Sequence, residues 1–172
     1  LTGHLVFSTL HTNNALGSII RLLDMETPNY LISSALSLII AQRLVRKLCP
    51  ECKIIDDKIT PKILSSIGID SSQSSRARIY RSKGCDQCRQ SGHKGRMGIY
   101  EILEINKDMK QGILLGKSQS ELENIANRNH FKNMQKMAHE FLLSGDLSFQ
   151  EYERQIQSAE LSLAKYEEQE KV

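Results

Sequence analysis

The stretch Gly84-Cys85-Asp86-Gln87-Cys88-Arg89-Gln90-Ser91-Gly92-His93-Lys94-Gly95-Arg96-Met97-Gly98-Ile99-Tyr100-Glu101 decides how this chain is organised. It joins a Cys-x2-Cys pair to a glycine-punctuated turn and the start of an alternating strand. A second pair, Cys49-Pro50-Glu51-Cys52, stands upstream, so the pattern is C-x2-C, 32 residues, C-x2-C. Each pair can form a tight knuckle presenting two thiolates, and two knuckles complete a tetrahedron around one ion. The spacing therefore predicts one Zn2+ per chain, held by Cys49, Cys52, Cys85 and Cys88. Four thiolates leave no open position for water or substrate, so the metal is expected to be structural. Two disulfides or four free thiols are the alternatives. No signal-peptide pattern is visible, which predicts a reducing compartment and disfavours disulfides.

Working outward, the chain has 172 residues, with 25% charged and 40% hydrophobic side chains. That is the composition of an ordinary globular protein, and it excludes a collagenous, wholly disordered or coiled-coil chain. The longest apolar run of the first half, Leu38 to Ala41, is far below the roughly 20 residues of a membrane helix. Leu1 already reads as part of a strand, so the chain reads as cut from something longer. The net charge of +3 hides a pattern. Arg76, Arg78, Arg81, Lys83, Arg89, Lys94 and Arg96 face one acid, Asp86, so residues 76–98 carry +6. Residues 99–172 hold nine basic and thirteen acidic side chains, or −4. The basic block suits nucleic acid, an acidic partner surface or a solvated face.

Leu5 to Leu10 is β-rich and apolar and predicts a buried strand. Asn13 or Asn14 can cap the helix that follows, with Leu16, Ile19, Ile20 and Leu23 on one face. After Pro28, a second helical run holds Leu31, Ile32, Ala35, Leu38 and Ile39, and a strand is expected over Gln42 to Leu48. Thr60-Pro61 predicts a helix start and Gly68 its end. Ser71 to Ser75 reads as loop, and Arg76 to Arg81 as strand. Ile99 to Ile105 alternates with period two. Ser120 and Glu123 have capping-box spacing. A helical stripe runs from Leu122 to Leu142 with a break near Asn127 to Asn129. Gly145 ends it, and Ser148 caps a last helix leading into Glu167 to Glu170.

Two histidines, His4 and His11, flank the first strand. In a regular strand their odd separation puts them on opposite faces, so they are not expected to share a metal. His11, at the strand's C-terminal end, stands where open α/β sheets bind ligands. Gly116-Lys117-Ser118 has the look of a phosphate-binding loop. That loop needs G-x4-G-K-[ST], whereas only three residues separate Gly112 from Gly116. It is therefore read as no phosphate site.

Together these motifs resemble the C-terminal half of the secretion ATPases, the family that powers type II secretion and type IV pilus assembly. Leu1 to Thr12 is similar to its histidine box, and the four cysteines to its tetracysteine element. Gly95-Arg96-Met97-Gly98-Ile99-Tyr100-Glu101 resembles the stretch after it, with His93 where tyrosine is frequent. The resemblance runs over residues 1–157 and points to the secretion and pilus-extension branch. It implies an α/β fold: the C-terminal part of a RecA-like P-loop ATPase core (1–48), a zinc-binding subdomain (49–98), and a strand followed by helices (99–172). It implies that His4 and His11 face a nucleotide pocket, His11 sensing the terminal phosphate, in a hexamer using ATP and Mg2+. It also implies contact with inner-membrane components of the machine from the cytoplasmic face, with no membrane span and no nucleic acid. The P-loop, acidic box and Walker B of that family are missing from this sequence. Phosphoryl transfer needs those parts, so the chain is expected to be inactive alone. The alternative is a zinc-ribbon nucleic-acid-binding module using the basic block, poorly served by Tyr80 and Tyr100 as its aromatics. Metal loss is expected to unfold residues 49–98 and leave the C-terminal helices largely intact.

Overall fold

The computed structural model describes residues 3–157. Leu1 as part of a strand, and the helix leading into Glu167–Glu170, lie outside them. The described chain is a mixture of helices and short strands forming two compact units. One holds the chain up to Gln42 with Tyr100–Asn133, and the other Arg43–Ile99 with the chain from Met134 on.

In the first unit, α1 (Ala15–Asp24) starts where Asn14 Oδ1 accepts the Gly17 N–H at 2.6 Å. This satisfies one of the N–H donors that a helix leaves without an internal partner. The face carrying Leu16 and Ile19 is buried. Helix α2 spans Asn29–Ala35, and α5 spans Lys107–Leu114 under an Asn106 cap. The two pack together, and Ser33 Oγ donates to the Lys110 carbonyl at 3.0 Å. Helix α6 (Gln119–Arg128) lies on α5 over Gly112, where a Cβ would stand 2.9 Å from both Ile125 Cδ1 and Leu122 Cδ2. Ile19, Ile32, Leu103, Met109, Ile113 and Leu122 share one core.

Strands β1 (Leu38–Leu48) and β4 (His93–Glu104) form one two-stranded sheet. In the second unit, β2 (Ile54–Ile55) pairs antiparallel with β3 (Tyr80–Arg81), Ile54 facing Arg81. Between them lie α3 (Pro61–Ser66), capped by Thr60, and α4 (Ser71–Ser74). Helix α7 (Met134–Ser144) ends at Gly145, whose φ of +72° suits glycine. Ser148 caps α8 (Phe149–Tyr152), and one π-helical turn follows over Glu153–Gln157. The turn between α7 and α8 is tied to β1, since the Leu48 N–H donates to the Asp146 carbonyl at 2.8 Å.

Several sequence expectations are corrected. Leu5 to Leu10 forms no strand, and Leu5, Val6 and Phe7 are 80, 76 and 88% exposed. A β-rich segment becomes a strand only against another strand's N–H and C=O groups, and none pairs with it among the described residues. The second helix stops at Ala35. Leu38 and Ile39 belong to β1, because a short apolar run fits either period and the Ile105 N–H to Ser37 carbonyl bond (3.0 Å) anchors the chain beside β4. Only Tyr80–Arg81 of the expected strand over 76–81 pairs, and Ser71–Ser74 is helical. The capping box is Ser118 with Glu121, not Ser120 with Glu123. Asn14, Thr60 with Gly68, Gly145 and Ser148 stand as the sequence predicts.

Candidate metal centre

Two knuckles bring the four cysteines together. In the first, the Cys49 carbonyl accepts from Cys52 N–H and Lys53 N–H at 3.4 and 3.0 Å. In the second, the Cys85 carbonyl accepts from Cys88 N–H and Gln90 N–H at 3.2 and 2.9 Å. The second knuckle closes through left-handed residues, Arg89 at φ 51° and Gln90 at φ 63°. The two knuckles meet where Cys49 N–H donates to the Gly92 carbonyl at 3.0 Å. Gly92 has φ +71°, and a Cβ there would lie 2.4 Å from Ser82 Cβ, so both conformation and space require glycine.

The Sγ–Sγ separations are 3.9 Å for Cys49–Cys85, 3.8 Å for Cys52–Cys88 and 3.7 Å for Cys85–Cys88. All four sulfurs lie within 4.8 Å of one another. Four sulfurs about 2.3 Å from a central zinc define a tetrahedron with edges of about 3.8 Å. The donor set thus has the size and chemistry of a four-thiolate zinc site. No cysteine is in a disulfide, and Cys49, Cys52 and Cys88 are buried.

The thiols are electrostatically unequal. Burial pushes the Cys88 thiol up, but the backbone N–H groups of Cys85 and Gly92, each 3.2 Å from its sulfur, overcome this and bring it down to about 6. Cys52 is pushed up to about 11, first by burial and then by the neighbouring thiols. The two N–H groups at its sulfur thus favour the thiolate form of Cys88 over the thiol. The surrounding surface is basic, since Arg76, Arg78, Arg81, Lys83, Arg89, Lys94 and Arg96 are all exposed.

A family profile of type II/IV secretion system proteins matches residues 1–154. The chain belongs to the type II/IV secretion system protein family. Among relatives of the family, it is 40% identical over 136 residues to the type IV pilus assembly ATPase PilB of Thermus thermophilus, covering 79% of this chain and 15% of that one. It is 35% identical over 151 residues to PilB of Myxococcus xanthus, covering 88 and 27% of the two chains. It is 36% identical over 151 residues to the type II secretion system protein E of Aeromonas hydrophila, covering 88 and 29%. The chain therefore spans less than a third of the length of these curated relatives. Among the described residues, no helix is long and apolar enough to cross a membrane.

The other candidate residues of this family member are not members of the cysteine cluster. His4 and His11 are exposed, in the first unit, and neither joins the cysteine cluster. Gly116-Lys117-Ser118 does helix work instead. Gly116 takes a φ of +65° after α5, Ser118 caps α6, and Lys117 Nζ pairs with Glu121 Oε1 at 2.7 Å. Two buried acids escaped the sequence reading. Glu101 is 4% exposed and accepts the Ala15 N–H, and Glu151, 1% exposed, binds Arg46 and Arg154. Glu101 had a signal in the alternation, because it shares parity with Ile99, Leu103 and Ile105.

Proposed function

We propose that this chain is the C-terminal part of a hexameric ATP-driven motor for type II secretion or type IV pilus assembly. In this reading a RecA-like core segment at 1–48 is followed by a zinc-stapled module at 49–98 and a strand with helices at 99–172. The observation that carries it is the family match through residue 154, over a chain whose four thiols cluster at zinc-site spacing. When bound, Zn2+ supplies a cross-link between the two knuckles and no open coordination position. Cys49, Cys52, Cys85 and Cys88 hold it, with the Cys85 and Gly92 amides stabilising the Cys88 thiolate.

The motor works at the cytoplasmic face of the inner membrane, against components of the machine. His4 and His11 face the nucleotide of the assembled motor, and His11 donates to the terminal phosphate. ATP and Mg2+ are bound by P-loop and Walker B residues that this sequence does not contain, so the chain alone turns over no ATP. Against the nucleic-acid reading, Lys53 Nζ sits over one face of the Tyr80 ring, 4.8 Å from its centroid, where a base would have to stack.

The test joins this chain, in place of the matching part, to the preceding portion of the Aeromonas hydrophila protein E. The chain alone should show no ATP turnover, and the chimaera should show turnover that falls on His11→Ala. Turnover by the isolated chain that survives further purification refutes the proposal. Chimaera turnover indifferent to His11→Ala refutes the role of His11.

A further inference from the structure

We infer that Glu101 is the positioning residue for His11, its carboxylate pinning the start of α1 and the residues before it onto strand β4. The inference rests on the reading of His11 as a nucleotide-facing residue. A carboxylate at 4% exposure, on the face of β4 shared with Ile99 and Leu103, costs desolvation that an aliphatic side chain would avoid. It is retained against a specific donor. Glu101 Oε1 accepts the Ala15 N–H at 2.7 Å, 86 residues away in sequence. Ala15 is the first residue of α1 and is fully buried, so neither the helix nor water can accept its N–H hydrogen bond. The negative charge also suits the positive end of the helix.

Two further bonds act on the same few residues. Asn14 Oδ1 takes the Gly17 N–H at 2.6 Å, and Thr12 Oγ1 lies 2.7 Å from Ser18 Oγ. Residues 12, 14 and 15 are thus each anchored, and His11 is the next residue upstream. On its other side, Leu5 to Leu10 has no strand partner among the described residues. The position of the His11 imidazole is therefore set from its C-terminal side. Glu101 is a long-range anchor on that side, and Thr12 a local one.

The test uses the full chain without nucleotide, read by amide exchange and imidazole resonances in Glu101→Ala, Glu101→Gln, Thr12→Val and, as a core control, Leu122→Ala. Glu101→Ala should speed exchange of the Ala15 amide about tenfold or more and shift the His11 resonances, with α5 and α6 unchanged. Glu101→Gln keeps an acceptor oxygen and should restore the His11 resonances and most of the protection. Thr12→Val should shift His11 while leaving Ala15 protected. Leu122→Ala should speed exchange across α1, α5 and α6 together and leave His11 where it was. Unmoved His11 resonances in Glu101→Ala overturn the inference. So does uniform opening of the Leu122→Ala kind. If Glu101→Ala does not fold, a Glu101→Gln variant with His11 displaced as far as in Thr12→Val overturns it equally. The result is separable from the nucleotide reading: His11 displaced here, with chimaera turnover indifferent to His11→Ala, leaves the positioning intact and removes the phosphate role.

Discussion

The clamp between β1 and α8 makes an asymmetric prediction. Glu151 is 1% exposed, whereas the Arg46 and Arg154 side chains that meet it at 2.7 and 3.0 Å are 44 and 54% exposed. Glu151 also accepts the Arg46 backbone N–H at 3.1 Å. Glu151→Met leaves two guanidiniums that can turn into water and one unpaired backbone donor, at a cost of about 1–2 kcal/mol. Arg46→Met strands a buried carboxylate that keeps only Arg154 and the backbone N–H of position 46 as partners. Breaking a buried pair in that sense costs about 3–5 kcal/mol, and the remaining arginine holds the figure near the lower end, at about 3 kcal/mol. The double variant should resemble Glu151→Met alone, because the stranded charge is gone. Urea unfolding at neutral pH measures all three. An equal cost for both single variants, or a larger cost for Glu151→Met, refutes the reasoning. The acid arm follows from linkage. Burial pushes the Glu151 carboxyl up, but Arg46 and then Arg154 hold it below the usual carboxylate range. A depressed folded value means stability that is present above the unfolded value of about 4.3 and lost as pH falls through the folded one. The wild type should lose this contribution below about pH 4, and Glu151→Met should not.

Three further outcomes are expected. Chelation should open α7 and α8 along with residues 49–98, because Leu48 N–H bonds the Asp146 carbonyl and Lys53 Nζ bonds the Gly145 carbonyl, both next to the first knuckle. Amide exchange that leaves α7 and α8 protected after metal removal counts against this. Gly92→Ala imposes a left-handed backbone and a 2.4 Å clash beside the knuckle, so metal affinity should fall at least tenfold and stability by about 1–3 kcal/mol. A competition titration with a chromophoric chelator reads the affinity. Lys117→Met should change stability by under about 1 kcal/mol and nucleotide binding not at all, since Lys117 serves an exposed helix pair. A nucleotide-affinity loss in the chimaera reopens the phosphate-loop reading.

Local chemistry was legible in the sequence where one residue type has one use. Asn14, Thr60, Gly145 and Ser148 cap or end helices because their side-chain oxygens, or the lack of a side chain, solve a problem confined to a few residues. The thiol cluster was legible because Cys-x2-Cys knuckles are local and only their pairing is long-range. What failed was decided at a distance. Leu5 to Leu10 has strand composition, but a strand is a property of a pair. Ser120 with Glu123 has the box spacing, but the box that forms is Ser118 with Glu121, two residues earlier. The burial of Glu101 and Glu151 was not read from the sequence, since their donors, Ala15 and Arg46, lie 86 and 105 residues away. The docking of the α7–α8 turn on the cysteine unit likewise rests on contacts that no local pattern announces.

The most direct test of the account is the metal itself. The chain, purified without added chelator, should carry one zinc, and X-ray absorption at the zinc edge should show four sulfur neighbours at about 2.3 Å. Cys88→Ser should lose the ion and the fold of the second unit together. A chain that folds fully with no bound zinc, or one whose zinc has nitrogen or oxygen among its nearest neighbours, contradicts the four-thiolate staple on which the account rests.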